Sequence, residues 1–250
     1  MLIQLKYRIE GRYKTMHKPL SKTELAIVNG VSLFHNHKVK SVNDGMGKTE
    51  RVIKKSTNVK LGKRVTKGKL KGFPVFTVTL EERATCNTTC EHYKTCYGNN
   101  MPFATRYKAD DSLIVAMHNE LIELQRKHPN GFLVRLHILG DFFSLDYVKH
   151  WQQWLAMFPA LHVYGYTERK RTTPIGKLVH VMLSPRWQVR TSGDTTSTTM
   201  TALSADNSKA MAKVVTKEAF ICPVQTDKVA SCSSCTLCWT TNKTVVFLTH

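Results

Sequence analysis

Acidic residues are scarce. The 250-residue chain has 18 Asp+Glu against 37 Lys+Arg, a formal net charge of +19. No apolar run reaches the ~18 residues that a membrane-spanning helix needs, so no membrane partner is expected. The opening stretch, MLIQLKYRIEGRYK, lacks the apolar core and small-residue cleavage site of a secretion signal. A reducing, cytoplasmic setting follows as the expectation. Clustered cysteines there act as metal ligands more often than as disulfides. The sequence holds no Gly-x-Ser-x-Gly elbow, P-loop or dinucleotide fingerprint, which sets aside serine hydrolases, P-loop NTPases and nicotinamide dehydrogenases. It also has no internal repeat, which sets aside solenoids and propellers.

The positive charge is uneven. Residues 1–71 hold 18 Lys+Arg against 4 Asp+Glu, so most of the excess lies in the first third of the chain. Such a block is the expected footprint for a polyanion, with nucleic acid the default partner. A lysine-rich arm that only keeps the chain soluble is the alternative. Residues 1–71 therefore read as a basic arm or small module, either a twisted hairpin unit or a segment ordered on a partner.

From residue 72 the pattern changes to an α/β core running to 215. Phe73–Leu80, Phe132–Leu139, Leu161–Tyr166 and Trp187–Thr191 read as strands, being rich in β-branched and aromatic residues. Residues 103–127, Asp146–Phe158 with a cap at Ser144, and Ile175–Met182 read as helices from their apolar spacing. This alternation predicts a parallel sheet with crossover helices. Residues 191–208 read as a polar loop, and residues 216–250 form a cysteine-rich segment ending in a strand at Thr244–Leu248.

Seven cysteines fall into two groups. Cys86-x3-Cys90-x5-Cys96 puts three thiols on the loop after the first core strand, at the end of the sheet where α/β active sites lie. Three thiolates can hold three irons of a [4Fe–4S] cubane and leave the fourth iron open for chemistry. Zinc held by the same three with His92 is the competing reading. Cys222-Pro-x8-Cys232-x2-Cys235-x2-Cys238 has the close spacing of ferredoxin ligation with a fourth cysteine upstream. It equally satisfies a tetrahedral zinc site. One cluster or two, including one shared between the groups, remain open at this point.

Four stretches resemble the phage and prophage "gene product 88" family. They are Cys86 to Cys96-Tyr-Gly-Asn-Asn-Met-Pro-Phe-Ala, Val134-Arg-Leu-His-Ile-Leu-Gly-Asp-Phe-Phe, Val163-Tyr-Gly-Tyr-Thr, and Cys222-Pro-Val-Gln-Thr through Cys238-Trp. The resemblance covers roughly residues 60–250 and implies a phage-encoded protein of the host cytoplasm, without implying an activity. A more distant similarity is to radical S-adenosylmethionine (SAM) enzymes. It implies a partial (β/α) barrel, an open cluster at Cys86, Cys90 and Cys96, and a SAM contact at Gly140-Asp141. The five-residue second gap and the short Gly-Asp motif depart from that superfamily's usual pattern.

Other candidates sit around the same expected pocket. Arg135 and His137 alternate with Val134, Leu136 and Ile138, which aims both at one face beneath the cluster. A salt-bridged arginine and a hydrogen-bonded core histidine are the alternative. Asp141, at a strand's carboxyl end, is the first choice for a catalytic or cofactor-binding acid. Tyr97 follows the last cysteine of the loop, and Tyr166 closes the third strand, so both are expected to contact a cofactor. Arg190 ends the fourth strand, within reach of an anionic ligand. Two functions stay in view: an enzyme with a radical-SAM-like core acting on or with nucleic acid, and a non-catalytic iron–sulfur or zinc protein that binds nucleic acid.

Overall fold

Short runs of β-branched and aromatic residues build the main sheet of the computed structural model, which describes residues 3–9, 12–44, 50–205 and 219–248. The sheet's strands are β1 (Lys54–Lys55), β2 (Val75–Thr77), β3 (Phe132–Leu136), β4 (Leu161–Thr167), β5 (Trp187–Ser192), β6 (Thr201–Ala205), β7 (Ala219–Ile221) and β8 (Thr244–Leu248). Their spatial order is β1-β2-β3-β4-β5-β6-β8-β7. Every pair is parallel except β1 with β2. The sheet is open, with β1 and β7 at its edges.

From β2 to β6 each crossover steps one strand in the same direction. Right-handed crossovers of that kind place every connecting helix on one face. Those helices are α1 (Asp111–Lys127), α2 (Leu145–Met157) and α3 (Pro174–Val181). Asp110, Ser144 and Thr173 cap them, each side chain accepting a backbone N–H of the first turn. Leu113, Met117, Leu121 and Leu124 recur at helical spacing along α1, and Tyr147, Val148, Trp151 and Trp154 along α2. They pack on Phe132, Val134, Leu136, Val163, Trp187 and Val189, forming the larger core. The opposite face carries Val75, Leu133 and Tyr164, packed against Leu61, Val65 and Trp239. The helices thus leave one side of the sheet to the basic segment and the C-terminal cysteine segment.

Ile3–Ile9 pairs antiparallel with Arg12–Lys18 in a separate two-stranded sheet. The charge step at residue 71 does not coincide with a gap in packing. Val52 and Ile53 are 1% exposed in the larger core, and β1 adds to the sheet edge. Two other expectations need correction. The helix expected from residue 103 begins at 111, because Arg106–Tyr107 is extended and pairs with Val39–Lys40. The expected polar loop contains β6, whose Thr201 is fully buried and shares a 2.7 Å hydroxyl hydrogen bond with Thr244. Residues 206–208 of that loop lie outside the described residues.

His137 departs from the alternation as well. Val78 donates its N–H to Arg135 O at 3.2 Å, and its own carbonyl accepts from Ile138 N at 2.8 Å. A regular parallel ladder would use residues two apart, so one extra residue is inserted here, a bulge that flips side-chain parity. Arg135 and Ile138 therefore share the cysteine face. The His137 ring turns to the helix face, edge-on to Phe142 at 4.9 Å, with Nε2 3.1 Å from the Tyr147 hydroxyl.

The loop carrying the first cysteines is tied down by charge buried out of water. Glu82 and Arg106 are both fully buried, with Nε donating to Oε2 at 2.6 Å. The rest of the guanidinium donates to the carbonyls of Gly98 at 2.8 Å, Met101 at 3.1 Å and Ala104 at 2.6 Å. Arg83, in the left-handed region at φ 67°, donates to Tyr93 O and Asn99 Oδ1. Ser32 donates its hydroxyl to Glu82 and its N–H to Glu81.

Removing one member of the buried pair strands the other. Arg106→Met is expected to cost about 3–5 kcal/mol, read as a melting temperature lower by roughly 10 °C. Glu82→Gln in the same chain should restore part of that loss, and an unchanged melt for the single variant would refute this role. The His137 result generates a pH expectation. Burial holds its pKa down to about 3, below the ~6.5 of an unfolded chain. As pH falls below that value only the unfolded state takes up the proton, so stability drops, by roughly 2 kcal/mol at about pH 5. His137→Phe should flatten that share of the fall between neutral pH and pH 5 in thermal melts.

Candidate functional site

A cavity of about 730 Å³ opens at the carboxyl ends of the parallel strands. Cys86, Cys90 and Cys96 line it, and no other cysteine does. The cysteine loop itself adds Glu91, His92 and Tyr97, and much of the remaining lining comes from the ends of β3 to β5 and from β6 and β8. Gly140 and Asp141 follow β3, Tyr166 to Glu168 lie at the end of β4, Ser192 and Gly193 at the end of β5, and Ala202 to Ser204 and Phe247 come from β6 and β8.

Two local features bring the three-cysteine loop against β3. Gly140 has φ +83°, and a Cβ there would lie 2.5 Å from Thr85 Oγ1 and 2.7 Å from Leu80 Cβ. Only glycine permits that approach. Asp141 then donates its N–H to Thr85 Oγ1 at 3.2 Å. Its carboxylate accepts from Thr167 Oγ1 and Phe142 N at 2.7 Å and from Glu168 N at 2.9 Å. Burial pushes the Asp141 carboxyl up to about 6, against those hydrogen bonds. Asp141 thus cross-links the ends of β3 and β4, with most of its acceptor capacity used inside the protein.

Glu168 is the acid that the sequence reading passed over. It lies on the cavity wall, and burial with nearby Glu91 raises its pKa. Its position immediately after β4 was the signal, the same strand-end logic that singled out Asp141. Arg135 also lines the cavity, its guanidinium stacked 4.6 Å over the Tyr166 ring and 5.5 Å from that of Tyr164. Tyr97 borders the cavity with 56% of its surface exposed. His137 borders it too, with its imidazole Nε2 engaged by the Tyr147 hydroxyl on the helix side.

The second cysteine group lies below this floor. Cys222, Cys232, Cys235 and Cys238 pack together with Tyr166, Ala202, Val245 and Phe247. Three of those four packing residues also line the cavity. Tyr166 donates its hydroxyl to Cys238 Sγ at 3.2 Å, so one side chain touches both regions. Arg190 does not reach for a ligand, as was expected. It is fully buried and donates to the carbonyls of Cys238 and Thr241 at 2.6 Å and of Lys243 at 3.3 Å.

All seven cysteines are free thiols. Burial pushes Cys86 up to about 12, Cys90 up to about 11 and Cys232 up to about 12. Cys86 is close enough to Cys90 and Cys96 for each thiolate to disfavour the others, and Cys232 is likewise close to Cys222, Cys235 and Cys238. Among the described residues, no group of three or more His, Cys, Asp or Glu side chains is arranged to hold a metal ion.

The surroundings of the four thiols nonetheless fit an anionic sulfur-ligated group. The Tyr164 hydroxyl and the Trp239 indole N–H are buried without a hydrogen-bond partner, and their rings are 5.1 Å apart in the layer that holds Cys232 and Cys238. The positive charges of Arg135 and Arg190 favour the thiolates of Cys232 and Cys238 respectively. Donors without a well-formed bond and nearby cations are what the sulfurs of a cluster or a tetrathiolate zinc ion would engage.

Among the described residues no helix is long and apolar enough to cross a membrane. No curated protein and no solved structure matches the chain. The family model described as Gene product 88 matches residues 51–242, which begin at the core edge before β1 and take in both cysteine groups. The chain belongs to the gene product 88 family.

Proposed function

We propose that this is a two-centre iron–sulfur protein with a radical-SAM-like, partial-barrel core that acts on or with nucleic acid. The observation that carries the reading is the partition of the thiols. Three line the cavity at the strand ends, and four are packed beneath it behind Tyr166. The unbroken strand order from β2 to β6, with helices on one face only, supports the partial barrel.

An open cluster held by Cys86, Cys90 and Cys96, reduced by an external one-electron donor, would supply the electron that breaks the C5′–S bond of the SAM sulfonium, with methionine as the leaving group. The chain's own residues handle the rest of that ligand. An amino-acid group needs a carboxylate for its ammonium and a cation for its carboxylate. Glu168, with the remaining oxygen capacity of Asp141, serves the first, and Arg135 the second. Tyr97 and Tyr166, both on the cavity wall, supply apolar ring surface. Gly140 keeps the thiol loop close enough for the ligand to meet both. The four-thiol site, with Cys222 buried and Cys232, Cys235 and Cys238 half-buried, suits electron storage or a structural role.

Anaerobic reconstitution with iron and sulfide should give a brown protein with about eight iron and eight sulfide per chain. Changing Cys86, Cys90 and Cys96 together to Ser should leave about four of each and abolish release of 5′-deoxyadenosine from SAM. Changing Cys232, Cys235 and Cys238 should also leave about four. A brown protein with about four iron and about one zinc would put zinc at the four-thiol site, and a colourless protein would overturn the iron–sulfur reading of both centres.

Tyr166→Phe tests the floor of the cavity. Loss of the hydroxyl donor to Cys238 should move the midpoint potential of the four-thiol centre to more negative values, because hydrogen bonds to sulfur stabilise the reduced state. The signal of the three-thiol centre should keep its potential. An unmoved potential for both centres would remove Tyr166 from this role.

A further inference from the structure

We infer that residues 63–75 form a finger that grips the phosphate backbone of duplex DNA, and that the four-cysteine segment sets its position. The second half rests on the metal reading above; the first does not. The backbone of these residues folds back on itself. Val65 donates to Phe73 O and Gly72 to Val65 O, both at 2.9 Å, and Val75 donates to Lys63 O at 3.0 Å. Val65 is 1% exposed and anchors the finger in the smaller core with Leu61.

Lys63, Arg64, Lys67, Lys69 and Lys71 all stand exposed on it. Among the described residues none of the five pairs with a carboxylate. Five unpaired cations within nine residues repel one another, and a row of phosphates relieves that repulsion. Phe73, the finger's one aromatic ring, is packed edge-on against His162 at 5.2 Å and belongs to the smaller core, so it offers no platform for a base. Single-strand binders stack bases on aromatic platforms, so a finger whose exposed side chains are four lysines and an arginine suits the regular backbone of a duplex.

The finger's inner side is seated on the cysteine segment. Cys232 donates its N–H to Lys60 O at 2.7 Å, Ser233 to Leu61 O at 3.1 Å, and Thr66 to Ser233 O at 3.0 Å. The seat is tight. Gly62 has φ +85°, and a Cβ there would lie 2.0 Å from Ser233 Oγ. Two of the thiols in the four-cysteine group, Cys232 and Cys235, bound the short helix on which the finger rests. Whatever fixes those thiols also fixes the direction in which the lysines point.

The test measures binding of the full chain to a labelled short duplex across a salt titration. Changing Lys67, Lys69 and Lys71 together to Gln should weaken binding about tenfold or more and reduce the slope of log affinity against log salt by roughly 2–3, with metal content unchanged. Gly62→Val keeps every charge and every thiol but unseats the finger, and it should weaken binding too. Changing Cys232, Cys235 and Cys238 to Ser should do the same while removing that centre's share of metal. Wild-type affinity in the lysine variant overturns the finger, and tighter binding to the matching single strand overturns the duplex assignment. Wild-type affinity in the cysteine variant overturns the coupling alone. A wild-type protein without metal at the four thiols defeats the metal reading and the coupling together, and the lysine variant still decides the finger.

Discussion

The buried ion pair between Glu82 and Arg106 is the constraint on which the candidate site depends. Two fully buried charges are costly to desolvate, and their attraction offsets that cost only when the remaining donors are satisfied. Here they are, by three carbonyls of the segment that returns from Cys96. The consequence is geometric. The chain leaves β2, turns through Glu81 to Arg83, runs out through the three cysteines, and must come back to the same guanidinium. A loop of about twenty residues with little regular structure is thereby held at both ends and at its middle. Arg83 closes the middle, reaching Tyr93 and Asn99 from a left-handed backbone position that disfavours a side chain.

The sheet explains why that loop faces a cavity. A doubly wound sheet reverses direction and covers both faces with helices. This one does not reverse between β2 and β6, so its three helices share a face and the other is left for the chain's two ends to cover. The basic stretch before β2 and the cysteine segment before β8 meet there, joined by the hydrogen bonds between residues 60–66 and 232–233. Charge and thiols, far apart in sequence, become one surface.

Much of this was legible in the sequence. Ser144, the apolar spacing of Tyr147 to Leu155, and the β-branched run of Thr244–Leu248 gave elements whose boundaries agree within a residue or so. The thiol partition was also readable, because cysteine spacing is a local property. What escaped were features decided by distant partners. Thr201–Ala205 is a strand because it is walled in by β5 and β8, not because Thr-Ala-Leu-Ser-Ala prefers to be one. His137 was placed on the wrong face because a single inserted residue is invisible to an alternation count. Arg190 read as a ligand contact because a sequence does not show which carbonyls will point at a guanidinium.

The two arginines nearest the four thiols sharpen the distinction between a packed cysteine cluster and a metal centre. Neutral thiols need no cation, and burying a guanidinium beside them is unfavourable unless its donors are met. Arg190 meets that requirement through carbonyls of the cysteine segment itself, so its charge comes with the scaffold that positions Cys238. Arg135 meets it partly through its own strand, at Leu136 O, and partly by stacking on Tyr166 and Tyr164. Both charges remain uncompensated by any carboxylate ion pair among the described residues. Four thiolates around a divalent core would carry a net negative charge, which Arg190 would offset in part, while Arg135 lies on the cavity wall above. The Tyr164 hydroxyl and the Trp239 indole N–H, buried beside each other without a well-formed hydrogen bond, would be better satisfied by charged sulfur than by neutral thiols.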